Sequence, residues 1–364
     1  MRSASPSLES PSKKIKVLVT DDSALMRRLL SEILQEDPEI EVIAQAKNGR
    51  EAVELTSKLR PNVVIMDIQM PVMNGLDAIK EIMEASPTPI IVFSALTKDD
   101  PELALTALEY GAVDVLAKPG GSISLNICDV KQELISKVKV AANINIARKL
   151  GKPKPSQEFL LSKKKSPKLY PQTIATIVTS TGGPSTLIEV LANMPLNPTL
   201  AILIIQHMPP LFTRKLAAKL NARSLYDVKE AEDGETIMGG RAYVAPGGHH
   251  MVVERAPSGI LKIRLNRGPK VNFVRPSADV TLISLTSNFD GLMIVAILTG
   301  MGKDGCEGAR AVKRAGGRVI AQDPETCVVE GMPQSVISAG LADSILPPKM
   351  IGLKILEFAR SHNL

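Results

Sequence analysis

The chain has 364 residues, of which 44% are hydrophobic and 23% are charged. A chain of this length and composition is expected to form two globular domains, each burying its own core. Its longest apolar runs fall short of the roughly 20 residues of a spanning helix, which excludes a membrane span. The three cysteines are too widely spaced to indicate a disulfide framework or a zinc site.

The N-terminal segment and the charge distribution predict two non-globular stretches. Residues 1–13 are rich in Ser and Pro and lack an apolar signal segment, which predicts a disordered leader on a cytoplasmic protein. Much of the formal charge of +6 lies between residues 148 and 168, within a Pro/Lys-rich connector predicted at 138–170. Because the positive charge sits in this linker and no helix-turn-helix pattern is present, we expect no nucleic-acid partner.

The first half alternates short apolar runs with helical patterns between residues 14 and 137. The predicted strands are 15–20, 41–46, 62–67, 89–94 and 114–119, and the helical patterns between and after them are 24–36, 49–60, 75–86, 102–110 and a last one from 126. Strands that alternate with helices predict an α/β domain with a five-stranded parallel, flavodoxin-like sheet covered on both faces.

Polar side chains follow several of these strands. Asp21 and Asp22 end the first strand, Asp67 the third, Ser94 the fourth and Lys118 the fifth. Ligands of such sheets bind at the carboxyl ends of the strands, so these groups are expected to converge. Carboxylates this close repel one another unless a cation lies between them, and Mg²⁺ prefers oxygen ligands. A carboxylate beside Mg²⁺ and a lysine could accept a phosphoryl group.

The motifs "VLVTDDSALMRRLL", "VVIMDIQMPVMNGLDAI", "IIVFSAL" and "GAVDVLAKP" resemble a response-regulator receiver domain over about residues 14–137. The resemblance implies phosphorylation by a histidine kinase at one aspartate and binding of Mg²⁺ beside it. The residues it implicates are Asp67 as phosphoacceptor, Asp22 and Asp67 with the Gln69 carbonyl as Mg²⁺ ligands, Asp21 in support, and Ser94 and Lys118 as phosphoryl contacts.

The second half, predicted as a domain over 171–364, repeats the alternating pattern on a larger scale. Its predicted strands are 173–179, 200–206, 291–299, 317–322 and 343–347. Helical patterns between most of them predict a doubly wound, mainly parallel α/β domain. Residues 240–266 alternate instead with turn signals, which predicts an insert of antiparallel hairpins on the larger sheet.

The turn "TSTGGPST" links the buried strand 173–179 to a helical pattern and carries Ser180. A glycine-rich turn that enters a helix could bind phosphate, or it could present a nucleophile next to an oxyanion hole. The spacing GxxxxGK[ST] of nucleotide sites is absent from the chain, and the spacing GxGxxG does not occur at this turn. A serine nucleophile needs a base and an orienting acid, so the other strand ends decide between the two interpretations.

His207 is the best-placed base among the four histidines, because it ends the predicted strand 200–206 at the same edge as Ser180. Asp304, in "LTGMGKDG", follows the next buried strand and is the preferred acid, although it could instead cap the following helix. Asp279 and Asp323 compete with it. The pattern therefore indicates a serine hydrolase, and a ligand-binding domain without hydrolysis remains the alternative.

Six motifs in order, "TSTGGP", "QHMPPLFTRKLA", "AYVAPGGHHM", "VRPSADV", "LTGMGKDG" and "AQDPETCVVEGMP", resemble the CheB family of chemotaxis protein-glutamate methylesterases over about 171–360. The resemblance implies Ser180 as nucleophile, His207 as general base and Asp304 as its orienting acid. Met301 would offer its backbone N–H to the oxyanion, and Thr181 would lie nearby. No cofactor is implied for the esterase reaction.

The family resemblance also implies a substrate. Methyl esters of glutamates on chemoreceptor cytoplasmic domains would be hydrolysed to glutamate and methanol, under control of the receiver, and glutamine side chains could be deamidated by the same path. Four residues at three places depart from the family patterns: Val115 replaces a common aromatic of receivers, Val178-Thr179 replaces a Gly-Ala pair, and Glu330 stands where an aromatic is common.

Overall fold

The computed structural model describes residues 14–94, 100–118, 127–144, 146 and 169–361. The predicted leader 1–13, most of the predicted linker 138–170 and the C-terminal residues 362–364 lie outside the described residues. The exact limits of leader, linker and domains therefore stay predictions. In the described ranges, no helix is both long and apolar enough to cross a membrane.

The first domain is the predicted five-stranded parallel sheet. Its elements are β1 (Ile15–Thr20), α1 (Ala24–Gln35), β2 (Ile40–Ala46), α2 (Gly49–Leu59), β3 (Val63–Met66), α3 (Gly75–Ala85), β4 (Ile90–Ser94), α4 (Asp100–Glu109), β5 (Asp114–Ala117) and α5 (Ile127–Ala142). The strand order is β2-β1-β3-β4-β5. Alternate strand residues are buried in different clusters, Leu18 and Val64 in one and Val17 and Ile65 in the other, as expected for a sheet covered on both faces.

The second domain is built on a seven-stranded parallel sheet in the order β14-β13-β12-β6-β7-β9-β8. Its strands are β6 (Thr173–Thr179), β7 (Leu200–Gln206), β8 (Asp227–Glu230), β9 (Arg241–Val244), β12 (Leu292–Ile297), β13 (Arg318–Gln322) and β14 (Ser344–Leu346). Its helices are α6 (Gly183–Ala192), α7 (Phe212–Ala222), α8 (Ala278–Asn288), α9 (Cys306–Arg314), α10 (Gly331–Ser338) and α11 (Pro348–Ser361). The central strands β6, β7 and β12 are buried along their whole length, which explains their unbroken apolar sequences.

The insert 240–266 differs in part from its prediction. Only β10 (His250–Arg255) and β11 (Leu261–Asn266) form an antiparallel hairpin, and they make a separate two-stranded sheet. Strand β9 instead joins the large sheet in parallel with β7. The short strand β8, "DVKE", was not predicted, because a half-polar edge strand of four residues carries little apolar pattern.

The two domains pack together through α4 of the receiver-like domain, which lies against α6 and α7. Buried Leu105 belongs to the same apolar cluster as Ile188 and Leu216 of the second domain. Lys215 Nζ lies 2.9 Å from Glu102 Oε2 at the rim of this contact. The packing also brings Asp114, at the beginning of the edge strand β5, into contact with the Ser180 turn before α6.

Candidate functional site

The Ser180 turn connects the end of β6 to the beginning of α6. Gly182 has a φ of 78°, a left-handed conformation that favours glycine, and a Cβ on Gly183 would lie 2.2 Å from Gln206 Oε1. The Ser180 N–H donates to Thr299 O at 3.0 Å, and Ser180 O accepts from Gly183 N–H at 2.9 Å. The turn is therefore compact, and its serine is fixed at the carboxyl edge of the sheet.

The residues Val178-Thr179, where the family usually has a Gly-Ala pair, fit this turn without disturbing it. Val178 is buried in the apolar core. The Thr179 hydroxyl is buried and donates to Thr299 O at 2.9 Å. The bulkier pair thus ties the end of β6 to the segment after β12.

His207 and Asp304 meet at this edge, as their strand-end positions predict. Their side chains are 8% and 3% exposed, and His207 Nε2 lies 2.8 Å from Asp304 Oδ2. This contact leaves Nδ1 as the ring nitrogen available to a serine. Among the described residues no hydrogen bond joins Ser180 Oγ to His207. Such contacts are often long in a free enzyme and tighten when substrate binds.

The backbones of Ser180 and His207 are held in register by Gln206, the last residue of β7. Its Nε2 donates to Ser180 O at 2.9 Å and lies 3.1 Å from His207 O. The His207 N–H donates to Thr179 O at 3.0 Å. Sequence reasoning missed Gln206, although a polar residue that closes a fully buried strand was an available signal.

Asp304 is embedded in a network of donors at the start of α8. It accepts from Ser277 Oγ at 2.6 Å, from the Ala278 N–H at 2.7 Å and from Asn272 Nδ2 at 2.9 Å. Burial by itself would raise the pKa of Asp304, but the hydrogen bonds, first that of His207, outweigh burial and lower the pKa to about 2. The carboxylate therefore stays ionised and can hold a protonated imidazole.

The two competing acids have structural roles. Asp279 accepts from the Gly308 N–H at 2.7 Å in the first turn of α9, and burial raises its pKa above the ordinary value. Asp323 precedes the 3₁₀ helix Pro324–Thr326 and accepts from the Glu325 N–H at 3.1 Å. Sequence reasoning assigned no role to Asn272 or Ser277, although Ser277 lies within the motif "VRPSADV", because both are loop residues without periodicity.

The segment after β12 lies against the serine. A Cβ on Gly300 would lie 2.7 Å from Ser180 Cβ. Only glycine therefore allows the backbone at this position to approach Ser180 so closely. In residues 169–361, no hydrogen bond occupies the N–H of the next residue, Met301. Glu330 is exposed and precedes α10, where its carbonyl accepts from Gln334 N–H at 2.8 Å.

A second site lies at the carboxyl edge of the first sheet. Lys118 Nζ lies 2.7 Å from Asp21 Oδ2 and 2.8 Å from Asp67 Oδ2. Burial is the largest influence on Asp67 and raises its pKa, assisted by the Asp21 charge and opposed by Lys118. Burial would lower the pKa of Lys118, but the hydrogen bonds that its ammonium donates to Asp21 and Asp67 raise the pKa overall. The lysine is therefore held as a cation between two carboxylates.

This second site also fits a divalent cation. Ligand atoms of Asp21, Asp22 and Asp67 lie within 4.8 Å of one another. Gln69 is exposed two residues after Asp67. Ser94 ends β4 beside β5, but its side chain lies outside the described residues. Val115 is a buried β5 residue, 2% exposed, so the position of the usual receiver aromatic belongs here to the core.

The serine turn also contacts the first domain across the domain interface. The Thr181 hydroxyl, beside Ser180, donates to Asp114 Oδ2 at the beginning of β5. Asp114 Oδ1 lies 3.1 Å from Lys137 Nζ of α5. Burial would lower the pKa of Lys137, but the charges of Asp114 and Glu133 raise it. Thr181, expected only as a neighbour of the serine, is thus engaged by the other domain.

Fold and sites together define a two-domain regulator with a receiver-type phosphorylation domain and an α/β domain whose His–Asp pair adjoins a serine turn. Two family models match the chain, response regulator receiver domain over residues 17–126 and CheB methylesterase over 175–355. The chain belongs to the protein-glutamate methylesterase/protein-glutamine glutaminase family, as the following relatives indicate.

Two relatives match the chain over nearly its whole length, and one solved structure matches about half of it. The protein-glutamate methylesterase/protein-glutamine glutaminase of Thermotoga maritima is 45% identical over 343 residues, covering 94% of this chain and 98% of the relative. That of Pyrococcus abyssi is 43% identical, covering 93% and 92%. The crystal structure of the Thermotoga maritima CheB methylesterase catalytic domain is 45% identical and covers 51% of this chain and 97% of that domain, with a TM-score of 0.48.

Proposed function

We propose that this chain is a phosphorylation-activated protein-glutamate methylesterase that hydrolyses γ-glutamyl methyl esters on the cytoplasmic domains of chemoreceptors. The observation that carries the proposal is the 2.8 Å hydrogen bond between His207 and Asp304 at the sheet edge that presents Ser180. A nucleotide-binding turn does not require a buried ionised carboxylate that is hydrogen-bonded to a histidine, whereas a serine nucleophile requires that pair. The names of the relatives supply the substrate class.

The proposed reaction proceeds in two halves. Ser180 Oγ attacks the γ-carbonyl carbon while His207 Nδ1 takes the hydroxyl proton, and Asp304 stabilises the imidazolium. Collapse of the tetrahedral intermediate breaks the bond to the methoxy oxygen, which leaves as methanol with the proton from His207. Water then attacks the acyl enzyme by the same path and releases glutamate. A glutamine side chain would lose ammonia in place of methanol, which accords with the second half of the relatives' name.

The backbone beside Ser180 supports stabilisation of the oxyanion. The Met301 N–H is a donor on a segment that Gly300 allows to approach the serine closely. A donor of this kind acts only when negative charge develops on the carbonyl oxygen, and losing one typically costs about 10²–10³ in kcat. No cofactor is needed for this chemistry.

The proposed phosphoacceptor is Asp67, with a chemotaxis histidine kinase as donor. Asp22 and Asp67, with the Gln69 carbonyl and support from Asp21, would hold Mg²⁺, which when bound neutralises charge on the transferring phosphoryl oxygens. Lys118 adds a second positive charge beside Asp67, 2.8 Å from its carboxylate. Ser94 would contact the phosphoryl group from the end of β4.

The proposed control is obstruction of the Ser180 site by the unphosphorylated receiver. The hydrogen bond from Thr181 to Asp114 brings the receiver next to the nucleophile. Lys118, which phosphorylation of Asp67 would reposition, follows the opposite end of the same strand β5, four residues after Asp114. A shift of β5 would therefore act on the Thr181 contact without needing an aromatic at position 115.

A fluorophosphonate, which labels activated serines, tests the nucleophile directly. We expect one adduct, on Ser180 by mass spectrometry, absent in Ser180→Ala and formed far more slowly in His207→Gln. Ser185→Ala is the matched control, because Ser185 lies nearby in the first turn of α6 and its hydroxyl donates to Gly182 O at 3.1 Å. Labelling at another residue, or at an unchanged rate in His207→Gln, would refute the proposed site.

A further inference from the structure

A tight turn next to the catalytic acid has an unusual backbone. Val271 and Val274 exchange backbone hydrogen bonds of 3.2 and 3.0 Å, and the two residues between them, Asn272 and Phe273, have φ values of 53° and 65°. A left-handed conformation is tolerated by asparagine but is an outlier for a bulky aromatic. Strained residues of this kind persist only where the surroundings fix them, and they cluster at functional sites.

Asn272 supplies that fixation. Its Nδ2 donates to Asp304 Oδ1 at 2.9 Å and to Asp279 Oδ2 at 2.7 Å. The turn is therefore tied directly to the acid that holds His207. Phe273, the next residue, is 87% exposed with the receiver packed on the catalytic domain. The strained conformation thus displays an aromatic ring to solvent beside the active site.

Leu211 forms a second apolar point on the same rim. It lies four residues after His207, has a φ of 73° and is 48% exposed. The loops between the two points touch, because the Gly248 N–H donates to Arg275 O at 3.0 Å and Gly247 approaches Pro209 too closely for any larger residue. Leu211 and Phe273 therefore belong to one continuous edge around His207 and Asp304.

The base of the turn is positively charged. Arg267 and Lys270 are exposed, and the stretch 266–278 contains no acidic residue. Lys303, also exposed, immediately precedes Asp304. The surface thus combines the apolar side chain of Phe273 with positively charged residues around it. Such a surface is complementary to a segment that combines apolar side chains with negative charge.

We propose that the turn Val271–Val274, together with Leu211, is the docking surface for the acidic substrate segment that carries the methylated glutamate, with Phe273 as a positioning residue. This inference rests on the proposed function. The occupant is chosen by charge: a receptor segment modified at glutamates becomes more negative with every ester hydrolysed, and the exposed side chains of Arg267 and Lys270 are complementary to that charge. Phe273 would act on the substrate backbone outside the reacting ester, and so on KM more than on kcat.

The test uses the full-length protein and two substrates. Phe273→Asn removes the ring and keeps a residue that tolerates the left-handed conformation. Activity is measured on methylated receptor in membranes and on N-acetylglutamate γ-methyl ester. We expect the ratio of kcat/KM for receptor to kcat/KM for the small ester to fall about tenfold, as for loss of an aromatic anchor. The change should lie in KM.

Two further variants separate the explanations. Ile283→Asn, on α8 of the same domain and 49% exposed, is the matched control and should leave the ratio unchanged. Replacing Arg267 and Lys270 by Gln should weaken the salt dependence of receptor hydrolysis. An unchanged ratio in Phe273→Asn, or a change in oligomeric state instead, overturns the inference. If the wild type hydrolyses neither substrate, the proposed function fails and not the docking surface alone.

Discussion

Asp279 and Asp304 cap each other's helices: Asp304 accepts from the Ala278 N–H at the start of α8, and Asp279 accepts from the Gly308 N–H in the first turn of α9. Each carboxylate thus faces the positive end of the helix that begins beside the other. Only Asp304 also reaches His207. The hydrogen bonds that join α8 to α9 therefore also fix the proposed catalytic acid. The stability of the fold and the esterase activity thus depend on the same hydrogen bonds.

Replacing Asp304 should affect both the stability of the fold and the orientation of His207. Asp304→Asn is expected to lower kcat by roughly three to four orders of magnitude, because the imidazole loses its orienting charge. Circular dichroism melting of the variant should establish that the protein is folded at neutral pH. A loss below tenfold would exclude Asp304 as the acid, and Asp323→Asn serves as the control.

The lowered pKa of Asp304 predicts an acid-sensitive fold. Because the folded pKa of about 2 lies below the ordinary 3.8, the stabilisation is complete above about pH 4 and is lost as pH falls through 2. The shift corresponds to about 2 kcal/mol. Urea unfolding at pH 5 and pH 2.5 should show a larger decrease for the wild type than for Asp304→Asn. Parallel decreases in both proteins would contradict the assignment.

Much of this arrangement could be predicted from the sequence. Ser180, His207 and Asp304 were placed together because parallel strands end at one edge of a sheet, and the structure brings the last two into hydrogen-bond contact. The contacts of Asn272 and Ser277 with Asp304 could not be predicted, because the position of a loop residue depends on tertiary packing and not on periodicity. The contact from Thr181 to Asp114 depends on how two domains dock, which no local pattern encodes. The pairing of β9 with β7 could not be predicted for a similar reason. Turn signals indicate that the chain reverses direction, but not which strand it then pairs with.

The contact between Asp114 and Thr181 should restrain the unphosphorylated enzyme. Asp114→Asn removes the carboxylate that binds both the Thr181 hydroxyl and Lys137. If the interdomain contact is weakened by about 1 kcal/mol, the open form becomes about fivefold more populated. Esterase activity without phosphodonor should therefore rise about fivefold. Glu102→Gln is a suitable control, because its pair with Lys215 crosses the same interface but is largely exposed. Equal basal rates in Asp114→Asn and wild type would mean that this contact does not restrain the site.

Magnesium should stabilise the receiver through its acidic cluster. Mg²⁺ at 100 times its dissociation constant would add about 2.7 kcal/mol, which raises the melting temperature by several degrees. Asp22→Asn should abolish most of that shift, because one of the three clustered carboxylates is lost. Asp77→Asn, an exposed acid on α3, should retain it. A shift that survives in Asp22→Asn would place the cation elsewhere.

The most direct test of the account is methanol release from methylated receptor membranes by the wild type and by Ser180→Ala, each with and without a small-molecule phosphodonor. The account predicts release by the wild type that rises with phosphodonor and requires Mg²⁺, and none above background from Ser180→Ala. Release that persists in Ser180→Ala, or that ignores phosphodonor in the wild type, would contradict the nucleophile or the switch respectively.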